Sequence, residues 1–69
     1  MKFGVRNNIT GKVVEIKKGG VMCQVKVEIA GGAVMQSVFT IDSLDELGIK
    51  KGDTVRVLVK AVNVVLAKD

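Results

Sequence analysis

The run Val21-Met22-Cys23-Gln24-Val25-Lys26-Val27-Glu28-Ile29 sets the fold class. Val21, Cys23, Val25, Val27 and Ile29 recur at every second position with Gln24, Lys26 and Glu28 between them, the period of a half-buried strand and not of a helix. Cys23 falls in the apolar register and reads as a small buried hydrophobe. Ahead of this run, Ile9 to Lys17 is apolar with polar alternates and closes on the turn chemistry of Lys17-Lys18-Gly19-Gly20. Behind it, Ala30-Gly31-Gly32-Ala33 places a Gly-Gly pair between β-rich runs and leads into a third strand from Val34 to Ile41.

The period then changes. Ser43-Leu44-Asp45-Glu46 has Ser43 where an N-cap belongs and Glu46 three residues on, with Gly48 as the stop, so one short helical turn is expected. Ile49 to Asp53 is a second basic turn. From Thr54 to Val59, Val55, Val57 and Val59 alternate with Thr54, Arg56 and Leu58, giving strand four. Lys60 to Asn63 breaks the pattern, and Val64 to Ala67 is expected to form a short fifth strand. This element order predicts an all-β fold, a five-stranded OB-like barrel with one short helical turn between strands 3 and 4. Closure would remove the edges that so much valine makes hazardous. With no Pro, linker or low-complexity run, residues 1–69 form a single domain.

Composition narrows the function. A chain of 69 residues buries a small fraction of its surface, and the usual staples are missing, since one cysteine and no histidine allow neither an internal disulfide nor a zinc framework. Association of copies is the remaining remedy. Eleven Lys and Arg against seven Asp and Glu leave a charge of +4, which attracts anions without naming one. Without His, and with Asp42, Asp45, Glu46 and Asp53 in turns or on the helix, no acid–base or nucleophilic machinery is visible, so an enzyme is not expected. No metal site or cofactor is expected either. No stretch approaches the roughly 20 apolar residues of a membrane span and no signal-peptide core follows Met1, which places the chain in the cytoplasm. A small basic barrel suits nucleic acid as well, and Gly11 to Val21 is faintly similar to KOW or S1-like barrels. Against it, only Phe3 and Phe39 are available for base stacking.

The remaining signal is Val5-Arg6-Asn7-Asn8, which sets a guanidinium and two amides just ahead of the first strand. Read alone, Arg6 suits a surface ion pair, Lys60 the end of a strand, and Thr40 a strand position. Taken together, Val5-Arg6-Asn7-Asn8 with Gly11-Lys12-Val13, Glu28-Ile29-Ala30-Gly31-Gly32, the segment Ser37 to Ile49, Lys51-Gly52 and Val59-Lys60-Ala61 ahead of Val64 resemble the molbindins. These are the Mop or TOBE-domain molybdate- and tungstate-binding proteins.

The resemblance implies an OB-like fold, a hexamer built as a trimer of dimers, and tetraoxyanions bound without catalysis at subunit interfaces. The family's Ser-Ala-Arg-Asn motif falls on Gly4-Val5-Arg6-Asn7, so Arg6 carries over as the charged ligand and Val5 as a backbone donor. Gly4 departs from the pattern and offers no hydroxyl. Thr40, Lys60 and the N–H of Ala61 carry over as further donors, and Asn7 and Ser37 as a second class of site near a symmetry axis. A donor-only set suits a fully deprotonated dianion such as molybdate or tungstate. Hydrogen phosphate would bring a proton with no acceptor, at a cost of roughly 1–3 kcal/mol. Because Arg6 and Lys60 lie at opposite ends of the chain, they are expected to meet across a subunit interface.

Overall fold

The structure is a computed structural model that describes residues 5–69. Strands β1 (Asn7–Lys18), β2 (Met22–Ile29), β3 (Val34–Thr40) and β4 (Thr54–Val59) form one antiparallel sheet in the order β3-β2-β1-β4. Helix α1 (Ile41–Leu47) joins β3 to β4, and 3-10 turns cover Ala30–Gly32 and Ala61–Asn63. β1 is the long central strand: its first half pairs with β4, and most of its length pairs with β2.

A bulge explains how β1 serves both neighbours. Its register against β2 shifts between Val13 and Glu15, where the apolar alternation of the sequence also stumbles on adjacent Val13 and Val14. The extra residue bends the strand and changes which side chains face the core. Before it Gly11 and Val13 are buried; beyond it Ile16 packs against the core. At Gly11 the approach of β2 leaves no room for a side chain: a Cβ there would collide with Val27 Cγ1 and lie 2.9 Å from the Glu28 carbonyl oxygen.

The core is small and built from Val13, Cys23, Val25, Val27 and Leu44, each at most 5 % exposed. Leu44 projects from α1, with Phe39, Ile41, Ile49, Val55 and Val57 packed around the cluster. Cys23 is buried in the apolar register its sequence period predicts, its thiol 3.9 Å from the Thr40 carbonyl oxygen.

Two expectations change. The helix starts earlier than its capping-box reading, because Thr40 and not Ser43 is the N-cap: the Thr40 hydroxyl accepts the Ser43 N–H at 3.2 Å. Ser43 then occupies the third helical position, and the hydroxyl pair, 3.0 Å apart, completes the cap. Gly48 ends the helix as expected, at φ 66, with its N–H shared between the Leu44 and Asp45 carbonyls. A side chain at that left-handed position would be strained.

The fifth strand is absent. Residues 64–69 carry no strand and are exposed, Val65 and Leu66 at 90 % and 89 %. Alternation makes Val64 to Ala67 strand-like, yet a strand needs a ladder, and no neighbour among the described residues supplies one. The sheet is therefore a half-barrel with two open edges, β3 and β4. A groove of 250 Å³ runs between them, floored by Val13, Val25 and Val27 and reached by Ser37 and Phe39 from one edge and Val55, Arg56 and Val57 from the other.

Candidate oxyanion-binding site

The ladder between β1 and β4 ends on the pair Asn7 and Val59. Arg6 is the residue before this pair and Lys60 the residue after it, so the two cations leave the sheet side by side at one end. Antiparallel pairing of the first and last strands thus sets the backbones of Arg6 and Lys60 next to each other within one chain. Both are exposed, and neither enters an ion pair among the described residues. The surface-pair reading of Arg6 thus finds no carboxylate here.

Two hydrogen bonds shape the chain around Lys60. The Asn7 side-chain amide donates to the Val59 carbonyl oxygen at 3.2 Å. In the following turn, Asn63 N–H donates to the Lys60 carbonyl (2.9 Å) and Val64 N–H to the Ala61 carbonyl (3.2 Å). These turn bonds use carbonyls, and they leave the Ala61 N–H outside the turn's own bonding. Val5, half-buried beside Arg6, completes the group. Gly4 lies outside the described residues.

The other candidates are elsewhere. Thr40 pairs with Met22, near the β1–β2 turn, at the opposite end of the sheet, and its hydroxyl is engaged in capping α1. Ser37 lies opposite Val25 in mid-strand and faces the groove. One chain therefore assembles Val5, Arg6, Asn7, Lys60 and Ala61, while Thr40 and Ser37 belong to other surfaces. What sequence reading missed is the Val59 carbonyl as the anchor for Asn7. No local signal marks it, because the bond spans 52 residues and depends on the β1–β4 register.

Other chemistry is sparse. Among the described residues no cluster of His, Cys, Asp or Glu is placed to hold a metal ion, and no helix is long and apolar enough to cross a membrane. A cleft of 640 Å³, larger than the groove, lies between the end of β1 and α1, with an apolar floor of Ile16, Leu44 and Ile49 rimmed by Lys18, Asp45 and Lys50. It contains none of the candidate residues.

This arrangement has known counterparts. The TOBE domain matches residues 5–66. The chain belongs to the TOBE domain family. Within this family it is 42 % identical over 66 residues to molybdenum-pterin-binding protein 2 of Clostridium pasteurianum, covering 96 % of this chain and 97 % of that one. The fold is also similar to that of a molybdate-binding protein from Sporomusa ovata, with a TM-score of 0.91 and 37 % identity over 99 % of this chain and 100 % of that one. The cytoplasmic molybdate-binding protein ModG, in a form with molybdate bound, superimposes with a TM-score of 0.82 at 34 % identity. That match covers 88 % of this chain and 43 % of ModG. The molbindin resemblance and the OB-like fold are thereby shown, with four strands among the described residues in place of five.

Proposed function

We propose that this protein binds molybdate or tungstate in the cytoplasm and releases it unchanged, as a store or buffer. The observation that carries the proposal is the end of the β1–β4 ladder, where Arg6, Lys60 and the Ala61 N–H emerge together with no carboxylate paired to either cation among the described residues. Such a set offers donors only. It satisfies every oxygen of a dianion and leaves the proton of hydrogen phosphate without an acceptor. Three similar proteins with molybdenum or molybdate in their names support the same reading.

The site is completed by other copies of the chain. The chain exposes 5525 Å² of surface, whereas a compact monomer of this size exposes about 4,200 Å². The surplus, about 1,300 Å², exceeds the roughly 800 Å² that each partner gives to a standard interface. Much of the exposed apolar surface belongs to the tail, at Val62, Val64, Val65 and Leu66, and the groove between β3 and β4 has the apolar lining that such a tail lacks. A tail seated in the groove of another copy covers both. It also allows Thr40 of one copy to approach Arg6 and Lys60 of another, in keeping with the interface sites that the family resemblance implies.

Calorimetry with molybdate, tungstate, sulfate and phosphate tests the function. Heat with the first two and none with phosphate is expected; no heat with either metal oxyanion overturns the proposal. Arg6→Ala should weaken binding roughly tenfold or more, the scale of one hydrogen bond to a charged group. Lys26→Ala should not, because Lys26 is held by Glu15 on another part of the sheet. Equal losses would mean a diffuse positive field in place of a site.

A further inference from the structure

The Asn7–Val59 bond gives Asn7 a role other than that of an anion ligand. We infer that Asn7 is a positioning residue, whose side-chain amide locks the Val59–Lys60 peptide against the start of β1 and so presents Lys60 and Ala61 beside Arg6. The inference rests on the oxyanion reading above and specifies how the chain organises that site.

The argument begins with the weakness of the position. Asn is a poor strand former, and Asn7 and Asn8 together open β1 at the last pair of its ladder, where strands fray. Their side chains point to opposite faces of the sheet. Asn8 is exposed, whereas Asn7 is half-buried and donates to Val59 at 3.2 Å. The accepting oxygen belongs to the same planar peptide unit as the Lys60 N–H, so fixing the oxygen also fixes the direction of that N–H and the place of the Lys60 Cα. The next peptide, Lys60–Ala61, is fixed in turn by the Asn63 N–H on the Lys60 carbonyl at 2.9 Å. Two successive peptides are thus pinned from their carbonyl sides, and their N–H groups are oriented before any anion arrives. Preorganised donors bind more tightly than donors that must be ordered on binding.

The test is molybdate calorimetry on Asn7→Leu, a substitution of similar size with no side-chain N–H, carried out where thermal unfolding shows the variant folded. The expected result is an affinity loss of roughly tenfold, within the range of couplings between residues in one hydrogen-bonded network, and an unchanged number of anions per chain. Fewer anions bound at unaltered affinity would make Asn7 a ligand of a separate site and overturn the inference. A lower melting temperature with unaltered affinity would make its role structural only and overturn it equally. If Asn7→Leu does not fold, Asn7→Ala, which loses the donor without adding a charge, takes the same measurement. NMR of the unliganded wild type supplies a readout free of any variant: the Asn7 side-chain amide protons should exchange with water more slowly than those of exposed Asn8 and Asn63. Equal rates would remove the bond on which the inference stands. Should the wild type take up no molybdate, the functional reading fails, and the exchange comparison still decides whether Asn7 holds the Val59–Lys60 peptide.

Discussion

The two ends of β1 are built from the same kind of residue and meet opposite fates. Where β1 runs beside β2 and helix α1, the apolar side chains Val13, Val25, Val27 and Leu44 are at most 5 % exposed. Where it runs beside β4 and the tail follows, Leu58, Val62, Val64, Val65 and Leu66 are 41 % to 90 % exposed. Valine content does not separate the regions. What separates them is a covering layer: α1 lays Leu44 over the first, whereas nothing among the described residues covers the tail. Apolar alternation therefore specifies that a strand will form without specifying whose residues bury it. The candidate anion residues Arg6, Lys60 and Ala61 stand at the uncovered end.

The largest effect should come from the tail. Val65→Asp combined with Leu66→Asp places charges on side chains that are about nine-tenths exposed in one chain, so the chain's own core is untouched. If these residues are buried only between copies, desolvating the carboxylates should abolish assembly, and sedimentation should change from an oligomer to a single chain. An oligomer that survives both substitutions would break the comparison, because the uncovered end would then not be the interface. The opposite region should respond in the opposite way. Leu44→Ala removes the helix's only buried side chain and should cost about 2–5 kcal/mol in chemical denaturation, while leaving association of the folded fraction intact.

Sequence carried some of this and not the rest, for physical reasons. β2 and β4 were legible because alternation over Cys23, Val25, Val27 and over Val55, Val57, Val59 is local and unambiguous. The stop at Gly48 was legible for the same reason. Val64 to Ala67 has the same local pattern and makes no strand, since a ladder is a property of the neighbour and not of the segment. The helix start was displaced because two hydroxyl residues three apart, Thr40 and Ser43, both suit an N-cap, and tertiary geometry selects the one that ends β3. Family resemblance supplied Arg6, Lys60 and Ala61 as candidate site residues. That the first two lie next to each other along the backbone of one chain follows only from the β1–β4 register.

Thr40 sharpens the comparison on a smaller scale, because it ends β3 in the covered region and is also the donor expected to reach the uncovered end of another copy. Thr40→Ala removes the cap on Ser43 and should cost about 1 kcal/mol, a shift of about 4–8 °C in melting temperature for a domain of this size. Molybdate titration of the same variant separates the roles. Lost stability with full affinity would confine Thr40 to capping; an additional loss of affinity would place its hydroxyl in the shared site.

The smallest effect belongs to the exposed face of β1, away from both the core and the uncovered end. Glu15 lies 3.4 Å from the Lys26 ammonium and 3.5 Å from that of Lys17. Attraction to Lys26, more than to Lys17, holds its carboxyl below the ordinary value of 4.5. A carboxyl held down in the folded chain stabilises it at pH above the unfolded value, and that contribution disappears as pH falls through the lower folded value. Lys26→Met should therefore raise the Glu15 titration midpoint toward 4.5, followed by carboxyl NMR. Because all three side chains are solvated, salt near 1 M should erase most of the difference between variant and wild type. A shift that persists in high salt would mean that Glu15 is shielded by another copy, and the uncovered region would then extend around the sheet to its outer face.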